Sequence, residues 1–148
     1  MIRSKFLFCA LGFFFPGAGF NCLYLQGLKS YWGWLQLAAI IGGIGGWIIL
    51  STTELSSFAG WFLLTLGFIS IEASFLTTIA YGLRSGDRWD AEFNPGISPE
   101  QATQTGWATI LMVIFCLVFG AALMMSFFAI AFEQFFISQL IEARKLSQ

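Results

Sequence analysis

Residues 107–131 read WATILMVIFCLVFGAALMMSFFAIA, 25 positions without a charged side chain. About 20 apolar residues in a helix cross the ~30 Å hydrocarbon core of a bilayer. This run is long enough, and it predicts a transmembrane helix. Three further runs share its character. Residues 58–83 and 31–50 each form one candidate crossing. Residues 6–25 form another, interrupted by Pro16, Gly17, Ala18 and Gly19. Proline removes a helix hydrogen bond, so a kink or a broken helix is expected there.

The whole chain agrees. Of 148 residues, 57% are hydrophobic and 10% charged, with a mean hydropathy of +0.78. Soluble domains carry about 25% charged residues, and 10% cannot cover the surface of a water-soluble globule of this length. The predicted fold is an all-α integral membrane protein of four transmembrane helices. A kinked N-terminal hairpin spans residues 1–57. Two further crossings follow in 58–148, with a polar loop at 84–105 and an amphipathic tail at 132–148. Neither Phe20-Asn21-Cys22 nor its surroundings offers a signal-peptide cleavage site, so the first segment is expected to be retained.

Several functions are excluded or disfavoured. A net charge of -1 leaves no basic stripe for nucleic acid. The chain has no histidine, which removes the commonest general base and metal ligand. Cys9, Cys22 and Cys116 are widely spaced in apolar runs and read as free thiols. No catalytic motif or cofactor fingerprint is present. No enzyme activity, metal or cofactor is therefore expected.

Glu72 is the sharpest feature. It lies near the centre of the third run, where a carboxylate is expensive and is a functional candidate by default. The plainer reading is a hydrogen bond that glues two helices. Asn21, Gln36 and Thr65 are its expected partners. Trp61, Thr65, Phe68, Leu76 and Ile79 share its face at 100° per residue. The opposite face carries Gly67, Ser70, Ser74, Thr77 and Tyr81. Ala38, Gly42 and Gly46 repeat the pattern in the second run. Small residues at this spacing let helices approach closely, within the chain or against a partner.

In the polar loop, Arg84, Asp87, Arg88 and Asp90 suggest a salt-bridged segment, with Trp89 as an interfacial anchor. Asp90, Glu92 and Asn94 have a faint calcium-loop rhythm, but Pro95 stands where the essential Gly would be. Ser98, Pro99 and Gln101 look like a helix start, from which one helix would run to Leu146. With four crossings and the N-terminus inside, Arg3, Lys5, Arg144 and Lys145 face Lys29, Arg84 and Arg88 across the membrane. That is a margin of one charge by the positive-inside rule. If the first segment is re-entrant, three crossings remain and the sides change.

Lys5, the glycines at 17 and 19, Tyr24-Leu25, Gln36-Leu37 and the Gly-rich stretch 42–46 before Trp47 resemble the TM-two domain family of small membrane-hairpin proteins. Asn21, Cys22, Leu23 and Gln26 stand where that family has His or Asp, Arg, Phe and Gly. The resemblance covers the first third of the chain. It implies a hairpin in a bacterial-type inner membrane and no particular activity. The expected role is a non-enzymatic scaffold or accessory subunit whose partners are the bilayer and another membrane protein or a second copy. The alternative is a small transporter or channel component using Glu72.

Overall fold

The computed structural model describes residues 2–146. The last two positions of the expected tail lie outside the described residues. Among the described residues six α-helices form: α1 (Lys5–Phe14), α2 (Phe20–Gln26), α3 (Tyr31–Thr52), α4 (Phe58–Gly82), α5 (Gly86–Phe93) and α6 (Trp107–Leu146). Short 3-10 turns occupy Gly27–Lys29 and Pro99–Gln101. Helices α3, α4 and α6 are long and apolar enough to cross a membrane. Serine side chains start two of them: Ser30 accepts from the Gly33 amide and Ser57 from that of Gly60.

The first segment departs from the expected kinked crossing. Helix α1 has 10 residues and α2 has 7, about 15 Å and 10 Å of length. Each covers half a bilayer or less. Between them Gly17 and Gly19 take φ of 78° and 72°, the left-handed region that glycine enters without a Cβ penalty. The chain turns back instead of bending. Lys5 Nζ donates to the Arg84 carbonyl just past the end of α4, and Ser70 Oγ, halfway along α4, donates to the Gly17 carbonyl at 2.9 Å. Helix α1 thus descends beside α4 to its midpoint. Helix α2 returns, so that the Tyr24 hydroxyl accepts from the Ser4 amide at 2.7 Å. Both ends of this helical hairpin lie at one end of the bundle.

Helix α4 is the axis of the fold. Helix α3 packs along it antiparallel, and α6 and α1 pack on its other sides. Backbones nearly touch at the α3–α4 seam. A Cβ built on Gly43 would sit 2.7 Å from Gly67 Cα, and one on Gly46 2.5 Å from the Leu64 nitrogen. The expected stripe of Ala38, Gly42 and Gly46 is therefore corrected. Gly46 is in the seam, but Gly43 holds the central place. Ala38 and Gly42 line an outward groove beside Leu63 and Ala73.

At the hairpin's end of the bundle the polar loop folds into α5. Trp89 is fully buried and is no interfacial anchor. Its ring packs 5.7 Å from Phe8 and 4.7 Å from Phe93, and its indole N–H donates to the Arg3 carbonyl at 3.1 Å. Ser98 makes no capping bond, and the last helix begins at Trp107 instead. Asp90 explains the delay. It takes the Thr103 amide at 2.6 Å and its hydroxyl at 2.5 Å, which holds that stretch out of a helix. In the loop the ion pair joins Arg84 to Glu92, while Asp87 and Arg88 are exposed.

Candidate functional site

Helix α4 carries its buried polar side chains on separate faces. Toward the hairpin, Ser70 reaches Gly17, Ser74 accepts from Asn21 Nδ2 at 3.4 Å, and Thr78 lies against Gly12. A Cβ at Gly12 would stand 1.9 Å from Thr78 Oγ1, so only glycine admits that hydroxyl. Asn21 is buried, and its Oδ1 accepts from the Cys22 amide at 2.8 Å. Toward α3, Ser70 Oγ is also 3.3 Å from the Gln36 carbonyl. Gln36 Oε1 accepts from the Cys22 thiol at 3.8 Å.

Glu72 points elsewhere. Its side chain faces α6, where Oε2 lies 3.3 Å from the position a Cβ would take on Gly120. Phe75 closes the same notch, 3.2 Å from that position. One turn away, Phe68 of α4 stacks on Phe127 of α6 at 4.1 Å. Glu72 is 8% exposed, and its Oε1 is buried with no hydrogen-bond partner. The expected link from Glu72 to Asn21, Gln36 and Thr65 is therefore corrected. Asn21 and Gln36 belong to the hairpin and α3 faces, and Thr65 bonds back to the Trp61 carbonyl at 2.8 Å. A 100° step separates each successive residue, so Ser70, Glu72 and Ser74 cannot all serve one neighbour. The notch is left by Gly120, the lone glycine within the 107–131 run.

A second polar cluster was not anticipated from the sequence. Lys5, 2% exposed, donates to the Arg84 carbonyl and to Thr105 Oγ1 at 2.7 Å. Asn94 Nδ2 donates to Asp90 Oδ1 at 2.9 Å and is also 3.2 Å from the Arg3 carbonyl. Asn94 Oδ1 accepts from the Arg3 amide at 2.7 Å. These bonds tie the N-terminal segment, α5 and the approach to α6 into one knot. Burial lowers the pKa of the Lys5 ammonium, against smaller upward pulls from Cys9 and Asp90. For Asp90, burial alone would raise the value. The hydrogen bonds from Thr103 and Asn94, with the nearby Lys5 charge, outweigh it and hold the carboxyl below its usual range. The sequence signal was a lysine opening an apolar run with an acid-rich loop far along the chain. Spacing of 85 residues gave no way to pair them.

Among the described residues, no group of three His, Cys, Asp or Glu could hold a metal ion, and the three thiols are free. No family model, curated protein or solved structure matches the chain.

Proposed function

We propose that the chain is a membrane scaffold or accessory subunit without catalytic activity, acting through partner contacts along α6. The single observation carrying this reading is the isolation of that helix beyond Gly120. From Ala121 to Leu146 every residue is exposed except the half-buried Phe127, Ala131 and Gln134. Helix α6 is about 60 Å long, and the rest of the bundle covers only its first half. Phe128, Phe132, Phe135, Phe136, Leu140 and Ile141 are all about half exposed or more. Those near the helix's end lie beside Glu133, Gln139 and Glu142, where lipid tails no longer cover them.

The proposed topology has three crossings and a re-entrant hairpin. Arg3, Lys5, Lys29, Arg84 and Arg88 then share one side, and only Arg144 and Lys145 lie on the other. Five basic residues against two favour a cytoplasmic hairpin side by the positive-inside rule. The TM-two resemblance implies a transmembrane hairpin over residues 1–57, of which only α3 is long enough to cross; it supports the bacterial inner membrane.

A photo-crosslinking residue at Leu140 tests the scaffold reading. A discrete protein adduct, absent from the same probe at Ile41 on the outer face of α3, is the expected result. Lipid adducts alone at both positions would overturn it. The second reading, a proton or ion carrier, rests on the unpartnered Oε1 of Glu72 at the middle of α4. Proton flux in liposomes that is abolished by E72Q would favour it, and flux equal in both forms would remove it.

A further inference from the structure

A crevice of about 350 Å³ opens between the N-terminal segment and the start of α6. Its polar lining comes from Arg3, Ser4, Lys5, Thr103, Gln104 and Thr109, with no acidic side chain among its walls. We infer that this crevice binds the phosphate of an anionic phospholipid headgroup on the hairpin side of the membrane.

Two features of Arg3 carry the inference. Its main chain is clamped, with the amide donating to Asn94 Oδ1 and the carbonyl accepting from Trp89 and Asn94. Its guanidinium makes no ion pair among the described residues. The structure thus fixes the base of a cationic side chain at the crevice and leaves its guanidinium without an ion pair among the described residues. Lys5 adds a second positive group. Its ammonium donates to the Arg84 carbonyl and Thr105 Oγ1, neither of which lines the crevice, so it contributes positive charge from within the wall. The Arg3 guanidinium beside the Thr109 hydroxyl, with the Lys5 charge in the wall, matches the oxygens of a phosphodiester; the Thr103 hydroxyl is already engaged by Asp90. Apolar surface flanks the opening, with Phe6 44% and Trp107 81% exposed. That arrangement suits a ligand whose phosphate is attached to acyl chains. A free phosphate would use only the polar half.

The inference rests on the membrane reading of the chain, and recovery of the full chain in bilayer discs checks that premise separately. Discs of equal parts phosphatidylglycerol and phosphatidylcholine provide the probe, and native mass spectrometry counts the lipids retained on the released protein. R3Q removes the charge and keeps the clamp, which uses main-chain atoms. R88Q removes an exposed charge at the same end but outside the crevice. The wild type should retain phosphatidylglycerol over phosphatidylcholine. R3Q should lower that retention at least about ten-fold, the worth of a hydrogen bond to a charged group, and R88Q by no more than about five-fold, the effect of one cation near an anionic surface. Equal losses in R3Q and R88Q, or equal retention of both lipids, would overturn the inference. Displacement of the lipid by free glycerol phosphate without loss of affinity would overturn the lipid assignment.

Discussion

Replacing Gly43 by alanine tests the α3–α4 seam at its tightest point. The new Cβ would lie 2.7 Å from Gly67 Cα, whereas carbon atoms rest about 3.5–4.0 Å apart. The obstacle is backbone, which has no rotamer to change. The helices must therefore part by about 1 Å, and a gap of that size forfeits a quarter to a half of each contact's attraction. The seam also holds Gly46 against Leu64 and Gly60 against Leu50, and these contacts loosen together. Overpacking of this kind costs about 1–3 kcal/mol, and a value near 2 kcal/mol is expected for G43A, roughly a thirty-fold change in the folded-to-unfolded ratio. Gly45, two residues along the same helix, has nothing within 4 Å of its Cβ position. G45A is expected to be neutral or stabilising by up to about 1 kcal/mol through helix propensity. Unfolding in mixed micelles of a mild detergent and dodecyl sulfate, followed by circular dichroism, measures both. Equal stabilities for G43A and G45A would refute the close approach.

The hairpin's turn should be equally intolerant. G19A forces a side chain into positive φ and 2.3 Å from the Gly33 carbonyl; a loss above about 2 kcal/mol is expected in the same assay. For Glu72, which makes no hydrogen bond through Oε1, E72Q should leave stability within about 1 kcal/mol; a loss of 3 kcal/mol or so would reveal a partner. Asp90 predicts an acid limb. Its folded pKa is depressed, so its stabilisation is complete above about pH 4, the unfolded aspartate value, and is lost as pH falls through the folded value. D90N should lower stability at neutral pH by about 2 kcal/mol and flatten that limb in a pH series of melts.

The three helices long and apolar enough to cross a membrane could be read from hydropathy alone, because a crossing demands a long apolar run whatever its neighbours. Glu72 stood out for the same reason, as a carboxyl where burial is costly. The proline-glycine break was equally visible, but its outcome was not. Whether the chain bends or turns back depends on a serine of α4 meeting the Gly17 carbonyl, a contact 53 residues away. Helical spacing found small residues in α3 but placed the seam one residue early, at Ala38 and Gly42 instead of Gly43. In a helix that is apolar all round, no polar face marks which side packs. Likewise Ser98 carried a sound local start signal, and a distant aspartate overrode it by engaging Thr103. Trp89 resembled an anchor because its neighbours are charged, yet the N-terminal segment folds over it.

Cysteine labelling at positions 2 and 29 measures the re-entrant hairpin most directly. With I2C, K29C and E54C introduced singly, an impermeant maleimide is applied to intact and to opened cells. The account predicts that I2C and K29C react from the same, cytoplasmic side, and that E54C reacts from outside. Labelling of K29C from the side opposite I2C would mean that residues 6–25 cross the membrane, and would contradict it.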